Sequence, residues 1–292
     1  MLRPYNADLH VHTALSPCAD DEMTPPAIVA RALQRGLDLI AICDHNAADN
    51  VGAMVEAARG TRLRVLPGLE MESREGVHLL CLFDKVKDAW EWQEFVRQHL
   101  PKHCHRPEIF GRQLVLAADG RILGERPELL LTATSLGVED IFASVLGRGG
   151  LCLPAHVDRK SNGLLGVLGL VPEELPDLGL VAFEVSRDYR PEAKGSRDWR
   201  PDWWPAPTPD GDVRGPSPVG LIVRTRSGGT RIYPLVVGSD AHRLSEIQSG
   251  RTTFWLAHAN VSELRAAFLG KGERRVEVRY GDNARWVTTG GC

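Results

Sequence analysis

Long apolar runs are missing from this sequence, and none approaches the roughly 20 residues that a membrane-crossing helix needs. The N-terminus reaches the polar residues Asn6, Asp8 and His10 with no apolar signal core ahead of them. Together these absences predict a cytoplasmic protein with no membrane partner. A basic excess is missing too. The formal net charge is -3, whereas proteins that coat nucleic acid carry surplus Lys and Arg because phosphate neutralisation dominates that binding. Nucleic acid is therefore not the favoured partner, although local basic clusters leave it open. Cysteine is scarce: six are scattered, with no CxxC pair, and Cys43, Cys81 and Cys152 lie in apolar runs where a thiol behaves as a small hydrophobe. That excludes a disulfide framework and a structural zinc knuckle. Cys18 is the exception, because it lies in a polar loop.

What is present is ordinary globular material. With 43% hydrophobic and 25% charged residues over 292 positions, the chain can bury roughly three quarters of its unfolded surface around one core. A single domain, 1–292, is expected, with no internal repeat. Short apolar runs alternate with helical patterns, as βα units require. Ala7–Val11 reads as a strand, followed by a helix that Thr24 can cap and Pro25 can start. Ile28, Val29, Ala32 and Leu33 form its apolar stripe, and Gly36 ends it. Further strands are expected at Leu37–Cys43, Leu63–Leu66, Val77–Phe83, Leu151–Ala155, Leu180–Val185, Leu235–Gly238 and Thr252–Leu256, with helices at Val51–Ala58, Asp88–His99, Val138–Leu146 and Val261–Leu269. Asp119-Gly120 between apolar flanks predicts a hairpin over Val115–Gly124. The stretch 187–229, crowded with Pro and Gly and holding Trp199, Trp203 and Trp204, reads as a long surface insertion. Its tryptophans could stack on a nucleobase or pack against the rest of the protein.

Histidines and carboxylates recur where these strands end. Strand one contains Asp8-Leu9-His10-Val11-His12, whose period of two puts both imidazoles on one face. Strand two ends in Cys43-Asp44-His45-Asn46, strand three leads into Gly68-Leu69-Glu70, and strand four begins with His78. Pro154-Ala155-His156 and Gly238-Ser239-Asp240-Ala241-His242 repeat the pattern. In a parallel barrel the C-terminal strand ends open on one face, so these residues would converge. Imidazole with carboxylate suits Zn, Mn or Fe. Singly, each could be a satisfied core histidine or an ion-paired carboxylate. His99, His103 and His105 around Cys104 read as a solvated helix end rather than a second metal site.

In order and spacing these motifs resemble those of the polymerase and histidinol phosphatase (PHP) superfamily, over roughly residues 7 to 245. The resemblance implies a distorted seven-stranded β/α barrel of the α/β class, carrying the hairpin and the long insertion as additions. It implies two or three divalent metal ions (Zn, Mn or Fe) held by His10, His12, His45, Glu70, His78, His156, Asp240 and His242, with Glu70 as a bridge. Asp8 and Asp44 would orient the imidazoles. A ninth ligand falls in Ser16-Pro17-Cys18-Ala19-Asp20-Asp21-Glu22-Met23-Thr24-Pro25. Counting from His12 points to Cys18, while aligning the closing Thr-Pro points to Asp20, which is favoured because it keeps the donors oxygen and nitrogen. Arg159, three residues after His156, resembles an arginine that grips phosphate, with Lys160 and Arg243 as weaker candidates.

The resulting expectation is a hydrolase of a small phosphate ester, a metabolite or nucleotide, in which clustered metals lower the pKa of a bridging water and stabilise an in-line phosphoryl displacement. Two alternatives remain: hydrolysis of a C-N or C-O bond, and a non-catalytic metal-binding accessory to a nucleic-acid enzyme. No polymerase region is attached, so the sequence as it stands does not read as a proofreading segment.

Overall fold

A computed structural model describes residues 1–189, 213–217, 220–224, 230–248, 251–280 and 287–289. The chain opens with β1 (Arg3–Val11), α1 (Pro25–Gln34), β2 (Leu39–Ile42), α2 (Val51–Ala57), β3 (Arg64–Glu72) and β4 (His78–Leu82). There follow α3 (Val86–Arg97), α4 (Pro107–Phe110), β5 (Leu114–Leu116), β6 (Ile122–Glu125), α5 (Val138–Gly147), β7 (Leu151–Pro154), α6 (Leu164–Leu168) and β8 (Phe183–Val185). The last third holds β9 (Val213–Ser217), β10 (Gly220–Arg224), β11 (Thr230–Tyr233), β12 (Leu235–Val237), β13 (Thr252–Leu256), α7 (Val261–Phe268), β14 (Arg275–Val278) and β15 (Val287–Thr289).

The first unit forms for the reasons its residues supply. Pro25 presets the first helical turn, Ile28, Val29 and Ala32 are buried on one stripe of α1, and Gly36 adopts φ 73° to leave the helix. Thr24 occupies the N-cap but its side chain makes no capping bond, so Pro25 and the apolar stripe carry that helix start. β2 is buried at all four positions, as befits a strand covered on both faces.

Eight strands form one curled sheet in the order β15-β14-β13-β1-β2-β3-β4-β7. β1, β2 and β3 are parallel, but β4 runs antiparallel to both β3 and β7. A regular β/α alternation is therefore broken at β4, which follows β3 through a short turn closed by Ser73 and Val77. β8 and β12 form a separate parallel pair. Main-chain bonds from Val157 to Glu184 and from His12 to Ala241 tie that pair to the ends of β7 and β1, closing the sheet's curl around the convergence point of the motifs. On its other edge β1 pairs antiparallel with β13, and β14 and β15 extend the sheet outward. One hydrophobic cluster runs from Tyr5 to Tyr280 and includes Phe83, Trp92, Phe142, Phe183 and Phe254.

β5 and β6 pair antiparallel across the Asp119-Gly120 turn, where Gly120 takes φ 87°. Of the stretch 187–229, residues 190–212, 218–219 and 225–229 lie outside the described residues, and with them Trp199, Trp203 and Trp204. The remainder is not a bare loop: β9, β10 and β11 form a three-stranded antiparallel sheet. Its strands are short and cut by Pro216 and several glycines, which is why alternation did not reveal them. Among the described residues no helix is long and apolar enough to cross a membrane.

Candidate metal centre

Glu70 lies at the middle of the site. β3 carries it in register with Leu80 of β4, and a parallel bridge joins it to His45 just beyond β2. Its side chain is 1% exposed. Oε1 lies 2.9 Å from His78 Nδ1, 3.1 Å from His156 Nε2 and 3.4 Å from His10 Nε2. Oε2 lies 3.0 Å from His45 Nδ1 and 3.5 Å from His12 Nε2. Asp240 Oδ1 closes the other side, 3.4 Å from His10 Nε2, 3.2 Å from His12 Nε2 and 3.5 Å from His242 Nδ1. The fold thus gathers all eight of these side chains, from six separated segments, around one buried point. His78 joins them from the start of its strand because β4 is antiparallel, so its first residue lies at the same end as the last residues of β1, β2 and β7.

The hydrogen bonds around the imidazoles fix which nitrogen each presents. Both oxygens of Glu184 accept from His10 Nδ1, at 3.0 and 3.1 Å. Ser16 Oγ donates to Asp44 Oδ1 at 2.8 Å and so accepts from His12 Nδ1 at 2.9 Å. His242 Nδ1 donates to the main-chain oxygen of Asp240 at 2.9 Å. In the neutral form of each ring the proton therefore sits on Nδ1, and Nε2 is then left as a bare lone pair. The two bare nitrogens of His10 and His12 face each other at 3.1 Å. Unprotonated donor atoms packed this closely repel unless a cation lies among them. Glu70 Oε2 and His156 Nδ1 are buried without a hydrogen-bond partner, which burial makes costly. Three groups of donor atoms lie within 4.8 Å of one another: His10, His12, Glu70 and Asp240; His45, Glu70 and His78; and His12, His45 and His242. The residues present fit a cluster of divalent cations.

Charge follows the same layout. Burial alone would raise Glu70, yet His78, His10 and His45 hold it well below the usual carboxylate range. Burial opposes protonation of His10, but Glu184, Glu70 and Asp240 push its pKa well up. His12 goes the other way, lowered by burial and by the neighbouring His242. Burial raises Asp8 to about 6, although Ser239 donates to it.

The backbone is strained at two candidate ligands. His156 adopts φ 30° and Asp240 φ 49°, a left-handed region costing roughly 1 kcal/mol or more for residues with a Cβ. Gly238 is required for space: a Cβ there would collide with Glu184 Oε1.

Several sequence expectations need correction. Asp20 is not brought to the centre. Its carboxylate is half exposed and lies 3.4 Å from Arg243 Nε, on the outer side of the loop. Cys18 is exposed; burial would raise its thiol, but His242 and His45 lower it to about 6. Asp44 lies behind Ser16 and His12. It is fully buried, accepts from Thr13 and Ser16, and orients His12 through Ser16. Asp8 accepts from the main chain of Ser239 and His10, so it anchors strand ends and does not hold an imidazole. Arg159 is at the site, with Nη1 2.6 Å from Asp240 Oδ2 and 41% of its side chain exposed. Arg243 is committed to Asp20. The histidines near Cys104 disperse: His99 meets Ser135 and His105 meets the main chain of Gly111.

Glu184 and Ser16 were missed. Glu184 lies in the apolar run Val181-Ala182-Phe183-Glu184-Val185, and a lone carboxylate in a buried strand was the available signal. Ser16 carried none, since its role exists only through the spatial pairing of His12 with Asp44.

Residues 8–145 match the PHP domain family. It is 30% identical over 83 residues to a 5'-3' exoribonuclease of Haemophilus influenzae, a match covering 27% of this chain and 29% of the relative. Among solved structures it is similar to a lesion-specific endonuclease from Pyrococcus furiosus, with a TM-score of 0.62 and 18% identity over 94% of this chain and 58% of that one. An Endonuclease Q complex with a 27-mer duplex bearing an abasic lesion gives a TM-score of 0.60 and 18% identity, over 93% and 58% of the two chains. The chain thus spans well under two thirds of the length of these relatives, and at such identities the likeness concerns the fold.

Proposed function

We propose that the chain is a metal-dependent phosphoesterase whose centre is built on Glu70. The observation that carries this reading is the division of one buried carboxylate between two sets of imidazoles, His78, His156 and His10 on Oε1 and His45 and His12 on Oε2. Two or three divalent ions, Zn, Mn or Fe, are the expected occupants, held by His10, His12, His45, Glu70, His78, His156, Asp240 and His242. Bound there, such ions supply Lewis-acid activation of water and neutralise phosphoryl charge. The chain's own residues do the rest. Glu184 and the Asp44-Ser16 pair keep His10 and His12 in the tautomer that ligates. Arg159, half exposed beside Asp240, offers the guanidinium fork that suits a phosphate. Its place at the rim favours a phosphate ester over a C-N or C-O substrate.

A small phosphate ester is the reading that the net charge supports. A nucleic-acid phosphodiester is the second, favoured by the fold likeness to a lesion-specific endonuclease over 94% of the chain. Both are tested together by assaying protein loaded with Zn, Mn or Fe against a panel of phosphomonoesters, nucleotides, and short DNA and RNA oligonucleotides, including an abasic duplex. Turnover that a chelator abolishes and added metal restores is expected. No turnover of any phosphoester, with amide or ester hydrolysis in its place, overturns the proposal.

A further inference from the structure

A cleft of about 630 Å³ opens at the other end of the sheet from the candidate metal centre. The start of β1, the turn after α2, the start of β3 and the turn between β13 and α7 form it. Arg3, Arg59, Arg62, Arg64 and His258 are among its lining. Strands rise about 3.3 Å per residue, so along β1 from Arg3 to His10, and along β3 from Arg64 to Glu70, the two places are roughly 20 Å apart.

The whole chain has a net charge of -3, yet this cleft is basic. Two carboxylates reach its arginines: Asp38 lies 3.5 Å from Arg62 Nε, and Glu56 lies 2.6 Å from Arg59 Nη2. Those arginine side chains are 59% and 76% exposed, and ion pairs so open to water hold weakly. Arg3 and Arg64 are in no ion pair with any described residue. Arg3 is nevertheless held in place. Its Nε donates to the Tyr5 hydroxyl at 2.7 Å, and its guanidinium lies over the Tyr5 ring, 4.6 Å from the centroid. Tyr5 is buried, so a fixed ring supports Arg3 while no described residue takes its two terminal nitrogens.

A cleft lined by one sign of charge focuses the field and draws in counter-ions. Guanidinium forks match phosphate oxygens in geometry as well as charge. The volume is of the size that takes a whole small molecule, more than one phosphate needs, and the surplus of cations over carboxylates calls for an anion of several charges. We propose that this cleft binds a small anion with linked phosphates, at a site separate from the metal centre. A nucleotide polyphosphate and a free polyphosphate share that chemistry. The proposal is independent of the metal-centre reading.

Isothermal titration of the full chain with tripolyphosphate and with ATP tests it. Wild type should bind, and Arg3→Gln and Arg64→Gln should each weaken binding about 10-fold. Arg121→Gln, at an exposed arginine of the β5-β6 hairpin, should leave it unchanged. Arg3 and Arg64 are exposed, so both variants should keep the wild-type denaturant midpoint. Equal affinity for the two probes assigns recognition to the phosphate chain and tighter binding of ATP adds the nucleoside; either result sustains the proposal. Binding of the probes that survives both Arg3→Gln and Arg64→Gln, or binding of neither probe, overturns it. A short DNA strand that binds through Arg64 where neither small anion does overturns it as well.

Discussion

Glu184 grips His10 with both carboxylate oxygens and also accepts from the main-chain nitrogen of His156 at 3.0 Å. One buried side chain thus sets the tautomer of one proposed ligand and the strained backbone of another. Glu184→Gln keeps the shape but can turn an amide N-H toward His10, which favours the wrong tautomer. Metal affinity should fall by about 10- to 100-fold, measured by competition with a fluorescent chelator. Unchanged affinity would mean that Glu184 only fills space.

Gly238 faces Glu184 with no room for a methyl group. Gly238→Ala should destabilise the fold by about 2 kcal/mol, the usual scale for overpacking, and should weaken metal binding because Glu184 must retreat from His10. Denaturant unfolding together with chelator competition reads both effects. A loss of stability with full metal affinity would uncouple Gly238 from the centre.

Arg159 contacts Asp240 through one nitrogen, which leaves the remainder of its guanidinium for substrate. Arg159→Ala should raise KM for the best phosphoester about 10-fold with a smaller change in kcat, and metal content should stay full. Loss of an ion from this variant would instead make Arg159 a support for Asp240.

Bound cations should stabilise the native state, since the donors are assembled only when the chain is folded. At free metal 100 times the dissociation constant, linkage gives about 2.7 kcal/mol, so chelation should lower Tm by several degrees in a thermal melt. Equal Tm with and without chelator would speak against a preassembled centre.

Away from the site, Arg274 grips Glu263 through two bonds of 2.7 and 2.8 Å and the Ala257 main chain adds a third. The Arg274 bonds come first among the causes that lower Glu263 from 4.5 to about 2. A depressed carboxylate adds stability above its unfolded pKa and loses it as pH falls through the folded value. Because the pair is near solvent, its worth is discounted to about 1 kcal/mol. Glu263→Gln should therefore cost about that much at pH 7, with the gap from wild type narrowing as pH falls from 4.5 toward 2. A gap independent of pH would assign the loss to packing.

The sequence was most legible where the pattern repeats. β1, β2, β7, β12 and β13, and the helices that follow several of them, lie within a few residues of the apolar runs that announced them. The eight candidate ligand positions could be read because they cluster at or near the ends of such runs. Direction was not legible: nothing in Val77–Phe83 says that β4 runs antiparallel, and only that reversal explains why a histidine at a strand's start joins residues at other strands' ends. The place of Asp20 was not legible either. Ligand chemistry and the Thr-Pro register both favoured the carboxylate as a ligand, yet it stands half exposed beside Arg243. Glu184 escaped because its partner, His10, lies 174 positions away.

Two ions held on Glu70 as proposed would not load independently. Ions that divide one carboxylate between them cannot fill independently, because the first neutralises charge that the second would have used and then repels it. Occupancy should therefore rise in steps of decreasing affinity, so that a scarce metal supply yields a population of partly filled molecules rather than a mixture of full and empty ones.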